Sequence, residues 1–312
     1  MRKLILCAAA AIVALASCSK TEVINSEVPQ EIGFKAVTGA MTKAETTNTN
    51  LQNEEMGVFA YVNETGALYF SNEAFKLKTG QTDWSGVTPQ YWPVAHNLDF
   101  VVYHPHQTVA DSKPAFDYEY KQLTVNATNG SVDYLYGEIY YNNERTEATG
   151  TITANGYDKN TTSVGVVLNH AKAKVTVKMT CSNVTISNLK LDSQIMSGIY
   201  YVVYDFSPTT GQPSEGENIV TWSFDTVVPE EVPITLTNNE GYVLVVPSTK
   251  SAISFDYQIA GSSAVLHYEI PGNITWEHGK NYIFNITVTP KEIKFTPSVE
   301  NWGTTTDTPV VL

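Results

Sequence analysis

The fold class is decided by the stretch Ala171-Lys172-Ala173-Lys174-Val175-Thr176-Val177-Lys178-Met179. Ala171, Ala173, Val175, Val177 and Met179 recur at every second position, with Lys172, Lys174, Thr176 and Lys178 between them. Successive side chains of an extended chain point to opposite faces. The pattern therefore predicts a half-buried strand, apolar toward a core and with its lysines in water. No long stretch repeats apolar residues at i, i+3, i+4 and i+7, so no helix is predicted.

The same alternation continues toward the C-terminus. Val184 and Ile186 carry it on, and Leu189 and Leu191 shift it by one, which predicts a bulge or bend near Asn188. Tyr242–Val246 is apolar throughout and reads as a central strand. Ile253, Phe255, Tyr257 and Ile259 match Leu266, Tyr268 and Ile270 across Gly261-Ser262-Ser263, a hairpin. Tyr282, Phe284, Ile286 and Val288 form a further strand that Pro290 ends, and Ile293 and Phe295 begin another.

The first half is less regular. Ile32–Val37, Met56–Val62, Lys121–Asn126 and Val132–Tyr136 read as strands. Leu98–Tyr103 reads as a strand with both faces partly covered. Polar tracts at Thr42–Glu55 and Asn142–Gly150 read as loops. Many short strands between turn signals predict an all-β chain of two β-sandwich domains, residues 31–160 and 161–312. The polar, turn-rich Asn155-Gly156-Tyr157-Asp158-Lys159-Asn160 marks the expected linker, near residues 155–165.

The first residues have a separate purpose. Arg2 and Lys3 precede the apolar run Leu4–Ala16, which is too short to span a bilayer. Leu15-Ala16-Ser17-Cys18 then forms a bacterial lipobox, so residues 1–17 read as a lipoprotein signal peptide and Cys18 as the lipidated residue. Acyl chains on Cys18 would anchor the protein to a membrane, each buried methylene adding ~0.8 kcal/mol. Residues 18–30 read as a polar, lipidated spacer. The formal net charge of −13 argues against a nucleic-acid partner and against non-specific attraction to anionic headgroups. Once Cys7 leaves with the signal and Cys18 carries lipid, Cys181 stands alone, so no intramolecular disulfide can form. Cys181 is expected to be buried and inert.

Sites of chemistry are hard to build. The chain has no Gly-rich phosphate loop, no Gly-x-Ser-x-Gly elbow and no EF-hand spacing. No nucleophile and base can be paired, so no catalytic residue, enzyme activity, metal or cofactor is expected. His104-Pro105-His106 has metal-like spacing, but Pro105 ends the strand and no third ligand is identifiable, so the pair reads as polar residues at a strand end rather than as metal ligands. Seven Asn-x-Ser/Thr triplets carry no information in a lipobox protein. Tyr91-Trp92 and Tyr200-Tyr201 could line a glycan groove, or each pair could set one ring in the core and one on the rim.

Several stretches share an order and spacing: the lipobox, Ile32-Gly33-Phe34, Thr42-Lys43-Ala44, Val58-Phe59-Ala60-Tyr61 and Tyr91-Trp92-Pro93. Leu98–Tyr103, Val132–Tyr136, Leu168–Val175, Trp276–Tyr282 and Val299-Glu300-Asn301-Trp302 complete the series. Together they resemble one family, the fimbrillins of the type V pili of Bacteroidota. The resemblance implies two tandem transthyretin-like β-sandwiches and export as a lipoprotein to the cell surface and outer membrane. It further implies that a protease removes the first strand, and that a strand of another subunit refills the groove. Carried onto this sequence, Ile32, Phe34 and Ala36 belong to the removable strand, and the cut falls between Lys43 and Ala44. The family cuts typically after arginine, whereas the mature chain's only arginine is Arg145, so a lysine-accepting protease is implied, or no cut. Ile293, Phe295, Val310 and Leu312 lie in candidate donor segments; both segments read equally as closing strands of the second sandwich. The expected function is a fimbrial subunit or adhesin whose partners are other subunits, the outer membrane and a host or bacterial surface receptor. A surface lipoprotein that captures glycans through exposed aromatics is the alternative.

Overall fold

A computed structural model describes residues 29–38, 51, 53–81, 83–110, 113–127, 131–140, 163–194, 198–204, 219–223, 230–247, 252–270 and 275–302. The chain is all-β, as expected, with no α-helix among the described residues. Cys18, Lys43, Ala44, Arg145, Val310, Leu312 and the linker Asn155–Asn160 lie outside them.

Among the described residues, nine strands precede residue 171: β1 (Gly33–Thr38), β2 (Glu55–Val62), β3 (Leu68–Leu77), β4 (Trp84–Gly86), β5 (Leu98–His104), β6 (Ala115–Asp117), β7 (Gln122–Ala127), β8 (Leu135–Tyr140) and β9 (Val164–His170). Seven of them close into a barrel in the order β1-β4-β3-β2-β5-β8-β9. Its interior packs Phe34, Phe70, Phe75, Trp84, Trp92 and Phe100 with aliphatic side chains. β3 escaped the sequence reading because Asn72 sits at φ 53 and the β2–β3 register shifts between Val58 and Ala60. The irregularity resets the alternation, so Phe70 and Phe75 both reach the interior although five positions apart. β5 is buried on both faces along its whole length. Its outward side chains, Val101 and Tyr103, join Phe59 and Tyr61 beneath a second sheet.

The remaining strands are β10 (Ala173–Cys181), β11 (Val184–Gln194), β12 (Gly198–Val203), β13 (Ile219–Ser223), β14 (Glu230–Pro233), β15 (Glu240–Val245), β16 (Ile253–Ile259), β17 (Val265–Ile270), β18 (Lys280–Val288) and β19 (Ile293–Asn301). Two four-stranded sheets, β15-β10-β18-β19 and β14-β11-β16-β17, enclose one apolar core. A third, β13-β12-β7-β6, covers the barrel's outer face. Hydrogen bonding thus crosses the expected division at residues 160 and 161. β9 pairs with β1 and β8, and β12 pairs with β7. Only Ala171 and Lys172 separate β9 of the barrel from β10 of the second sandwich.

The alternation in β10 holds for Ala173, Val175, Val177 and Met179, all buried. Its lysine face needs correction. Lys178 is exposed, but Lys172 is fully buried because it sits where the chain passes between the two bodies. There its ammonium lies 5.2 Å from the ring centroid of Tyr134. Burial draws its pKa down to about 8, partly offset by the Asp133 carboxylate. The predicted bulge is present, with Asn188 at φ 51 and a register shift between Ser187 and Lys190. The hairpin pairs Phe255 with Tyr268 and Tyr257 with Leu266. The run Tyr242–Val246 supplies an edge strand, not a central one: β15 ends its sheet and leaves Tyr242 exposed. Cys181 is exposed, because it ends β10 where the strand leaves the core.

Candidate functional site

The site is the slot that β1 fills. β1 lies between β9 and β4, and the barrel is closed only through it. It runs parallel to β9, from Phe34 opposite Val164 to Thr38 opposite Leu168. On the other side Gly33 and Phe34 oppose Ser85 and Trp84 in antiparallel register. The chain just before it is also held: the Ile32 amide donates to the Gln90 carbonyl at 2.8 Å, and the Trp92 amide donates to the Gln30 carbonyl at 3.0 Å.

Ile32, Phe34 and Ala36 are completely buried in the barrel interior. Phe34 is the centre of this packing. It meets Phe75 edge-on at 4.9 Å and Phe100 edge-on at 5.2 Å. Alternate burial along β1 is what the period of two predicts, with Lys35 outward in solvent. Parallel strands bury both faces in many folds, but here one face looks into the barrel and one outward.

Inside the barrel the indole N–H groups of Trp84 and Trp92 have no acceptor among the described residues. Trp84 stands opposite Phe34, and Trp92 packs edge-on against Phe100 at 5.6 Å. The side chains that β1 turns inward are apolar and offer them nothing. Buried donors without partners are rare and cost about 1–3 kcal/mol each.

At its far end the slot abuts the second sandwich. The ring of His170, the last residue of β9, stacks on Trp302 at 3.7 Å with planes 6° apart. His170 Nδ1 lies 2.9 Å from an Asp133 carboxylate oxygen. The Trp302 amide donates to the Gly279 carbonyl at 2.7 Å.

The other sequence-derived residues fall elsewhere. Ile293 and Phe295 lie in β19, which pairs with β18 from Lys280 opposite Asn301 to Val288 opposite Ile293. Trp92 is in the barrel core and Tyr91 on the rim; Tyr200 is buried and Tyr201 half-buried. His104 is buried, neither ring nitrogen has a hydrogen-bond partner among the described residues, and burial lowers its pKa. His106 turns to Glu55 and to the Asn72 carbonyl. The described residues contain no cluster of three His, Cys, Asp or Glu side chains able to hold a metal. The outer face of the second sandwich carries a shallow pocket lined by Asn188, Lys190, Glu231, Asp256 and His267. Its polar groups are partnered among themselves, Lys190 with Glu231 and His267 with Asp256, and no Phe, Tyr or Trp ring lines it. Sequence reasoning missed Trp84 and β9, the walls of the slot, because nothing local marks a residue as the neighbour of a distant strand.

Residues 42–302 match the family model described as fimbrillin-like. A candidate cell adhesion protein from Bacteroides uniformis has a similar structure, with a TM-score of 0.56 and 17% identity over 87% of this chain and 99% of that one. Another from Bacteroides ovatus has a TM-score of 0.57 and 12% identity, over 89% of this chain and 100% of that one. The C-terminally truncated tip fimbrial protein Mfa3 from Porphyromonas gingivalis matches with a TM-score of 0.44 and 13% identity, over 88% of this chain and 99% of that one. No curated protein matches the sequence closely enough to count as a relative.

Proposed function

The chain belongs to the fimbrillin-like family, whose members are fimbrial proteins of the cell surface, and from that membership we propose that it is a lipid-anchored precursor of a fimbrial subunit or adhesin assembled by strand exchange. In this reading Cys18 carries the lipid to the outer membrane, and a cut between Lys43 and Ala44 releases the segment that includes β1. The vacated slot then takes an extended strand of another subunit.

The observation that carries the reading is the position of β1. Among the described residues it is the first strand, the barrel closes through it, and it buries Ile32, Phe34 and Ala36 in the common core. Its loss would expose the free edges of β4 and β9 and an apolar groove. An added strand restores the ladder hydrogen bonds and fills the groove, so association is favoured. The chain needs no catalytic group for this task.

Limited trypsin digestion followed by size analysis tests the proposal. Cutting after Lys43 should release the N-terminal segment and allow higher oligomers to form at high concentration. A product that has lost the segment and stays folded and monomeric at every concentration would sink strand exchange.

A further inference from the structure

Ten residues, Gly303-Thr304-Thr305-Thr306-Asp307-Thr308-Pro309-Val310-Val311-Leu312, follow Trp302 in the sequence. We propose that, after β1 is removed, this segment of the same chain enters its own slot, runs antiparallel to β9 and recloses the barrel. The proposal rests on the strand-removal reading above and adds a competitor to it: a processed subunit is self-closed until a partner's strand displaces its own tail.

The first argument is where the segment starts. Trp302 is fixed against His170 by the 3.7 Å stack, and His170 ends β9. The ladder between β1 and β9 stops two residues earlier, at Thr38 opposite Leu168. The chain therefore leaves the second sandwich at one mouth of the slot. A strand entering there must run back along β9, against its direction. At about 3.3 Å per residue the ten residues reach roughly 33 Å, and the seven residues of β9 span about 23 Å.

The second argument is the pattern of the segment. Thr304, Thr306, Thr308, Val310 and Leu312 are all β-branched or apolar, whereas the alternate positions Gly303, Thr305, Asp307, Pro309 and Val311 hold the segment's charge, its glycine and its proline. Setting Trp302 beside His170 places Thr304 opposite Leu168, Thr306 opposite Val166 and Thr308 opposite Val164. Those three β9 residues face the barrel interior, and residues directly opposite share a face. Asp307 then points outward. Pro309 falls beyond the first residue of β9, where its missing N–H removes no bond to that strand.

The third argument is the pair of unpartnered indoles. In this register Thr308 takes the position of Phe34, opposite Trp84. A threonine hydroxyl accepts a hydrogen bond, which no inward side chain of β1 can do for Trp84 or Trp92. Thr308 is smaller than Phe34 and fills the interior less well, so the tail does not displace an intact β1. It enters only a slot already emptied. A tethered strand competes at millimolar effective concentration, so the chain's own tail wins at low protein concentration.

Cysteine pairs test the register. The mature chain carries Cys18→Ser and Cys181→Ser, a site-specific protease sequence in place of Thr42-Lys43-Ala44, and Val166→Cys with Thr306→Cys. Before cutting, β1 fills the slot and both thiols should stay free. After cutting and loss of the N-terminal fragment, mild oxidation should remove both thiols and leave a disulfide within one chain, at monomer mass. Val166→Cys with Thr305→Cys, which faces the other way, should stay reduced. Thiols that remain free after the fragment has gone overturn the proposal. So does a disulfide found only between two chains, which would assign the slot to the tail of a second copy and leave strand exchange standing. A fragment that stays bound through gel filtration after cutting defeats the strand-removal reading itself.

Discussion

Phe34→Ala is the sharpest probe of the slot. Phe34 is completely buried and holds two edge-on aromatic contacts, to Phe75 at 4.9 Å and Phe100 at 5.2 Å. Truncating a core phenylalanine costs about 3–5 kcal/mol, through lost transfer energy and the cavity left behind. Two consequences follow from that one number. In the uncut chain, a urea slope of roughly 2 kcal/mol/M turns it into a midpoint lower by about 2 M. In a chain cut between Lys43 and Ala44, β1 is held only by non-covalent contacts, and every 1.4 kcal/mol is a factor of about ten. Loss of the cut segment should then become about a hundredfold to several thousandfold easier. Urea unfolding of the uncut chain and gel filtration of the cut chain read the two effects. Lys35→Ala, on the exposed side of the same strand, is the control and should stay within about 0.5 kcal/mol. A Phe34→Ala cost below about 1 kcal/mol, or one equal to that of Lys35→Ala, would refute the placement of β1 in the barrel core.

Lys172 makes stability depend on alkaline pH. Its folded pKa, about 8, lies below the ordinary 10.5, so between those values the unfolded chain binds more protons and stability rises with pH. Below pH 8 the penalty is fully present, so Lys172→Met should gain up to ~3 kcal/mol there and flatten the rise; a pH-independent difference between variant and parent counts against the buried ammonium. Cys181 should react with a thiol reagent in the folded protein, its rate climbing at higher pH than for a free thiol because burial raises its pKa. Reaction only on unfolding would contradict its exposure. Asn188 holds φ 51 and donates to Asp256 at 2.6 Å, so Asn188→Gly should cost about 1 kcal/mol for the hydrogen bond, and Asn188→Val a further 1–3 kcal/mol for backbone strain. Chemical denaturation should rank parent, glycine and valine variants in that order; a valine variant as stable as the parent removes the bulge.

The sequence by itself determined whatever depends on neighbours along the chain. Alternation in β10, the phase shift at Asn188 and the hairpin between β16 and β17 are local patterns, and each was legible because strand period and turn chemistry act over a few residues. The strand-like run Ile32–Val37 was legible for the same reason, but that Ile32, Phe34 and Ala36 fill a barrel interior was not. Only the tertiary structure decided which strands meet. β1 pairs in parallel with β9, well over a hundred residues away, and no local signal names that partner. The same distance explains the errors. Lys172 alternates like a solvated lysine, yet the two bodies close around it. Tyr242–Val246 is apolar enough for a sheet centre, yet no strand among the described residues pairs on its outer side. Trp92 belongs to an aromatic pair that could have met a glycan, yet its ring is in the barrel core. Burial is a property of the whole packing, whereas periodicity is a property of one strand. The stretch from Ala171 to Met179 therefore announced a β protein, and the way its first two residues join the barrel to the second sandwich was left to the folded chain.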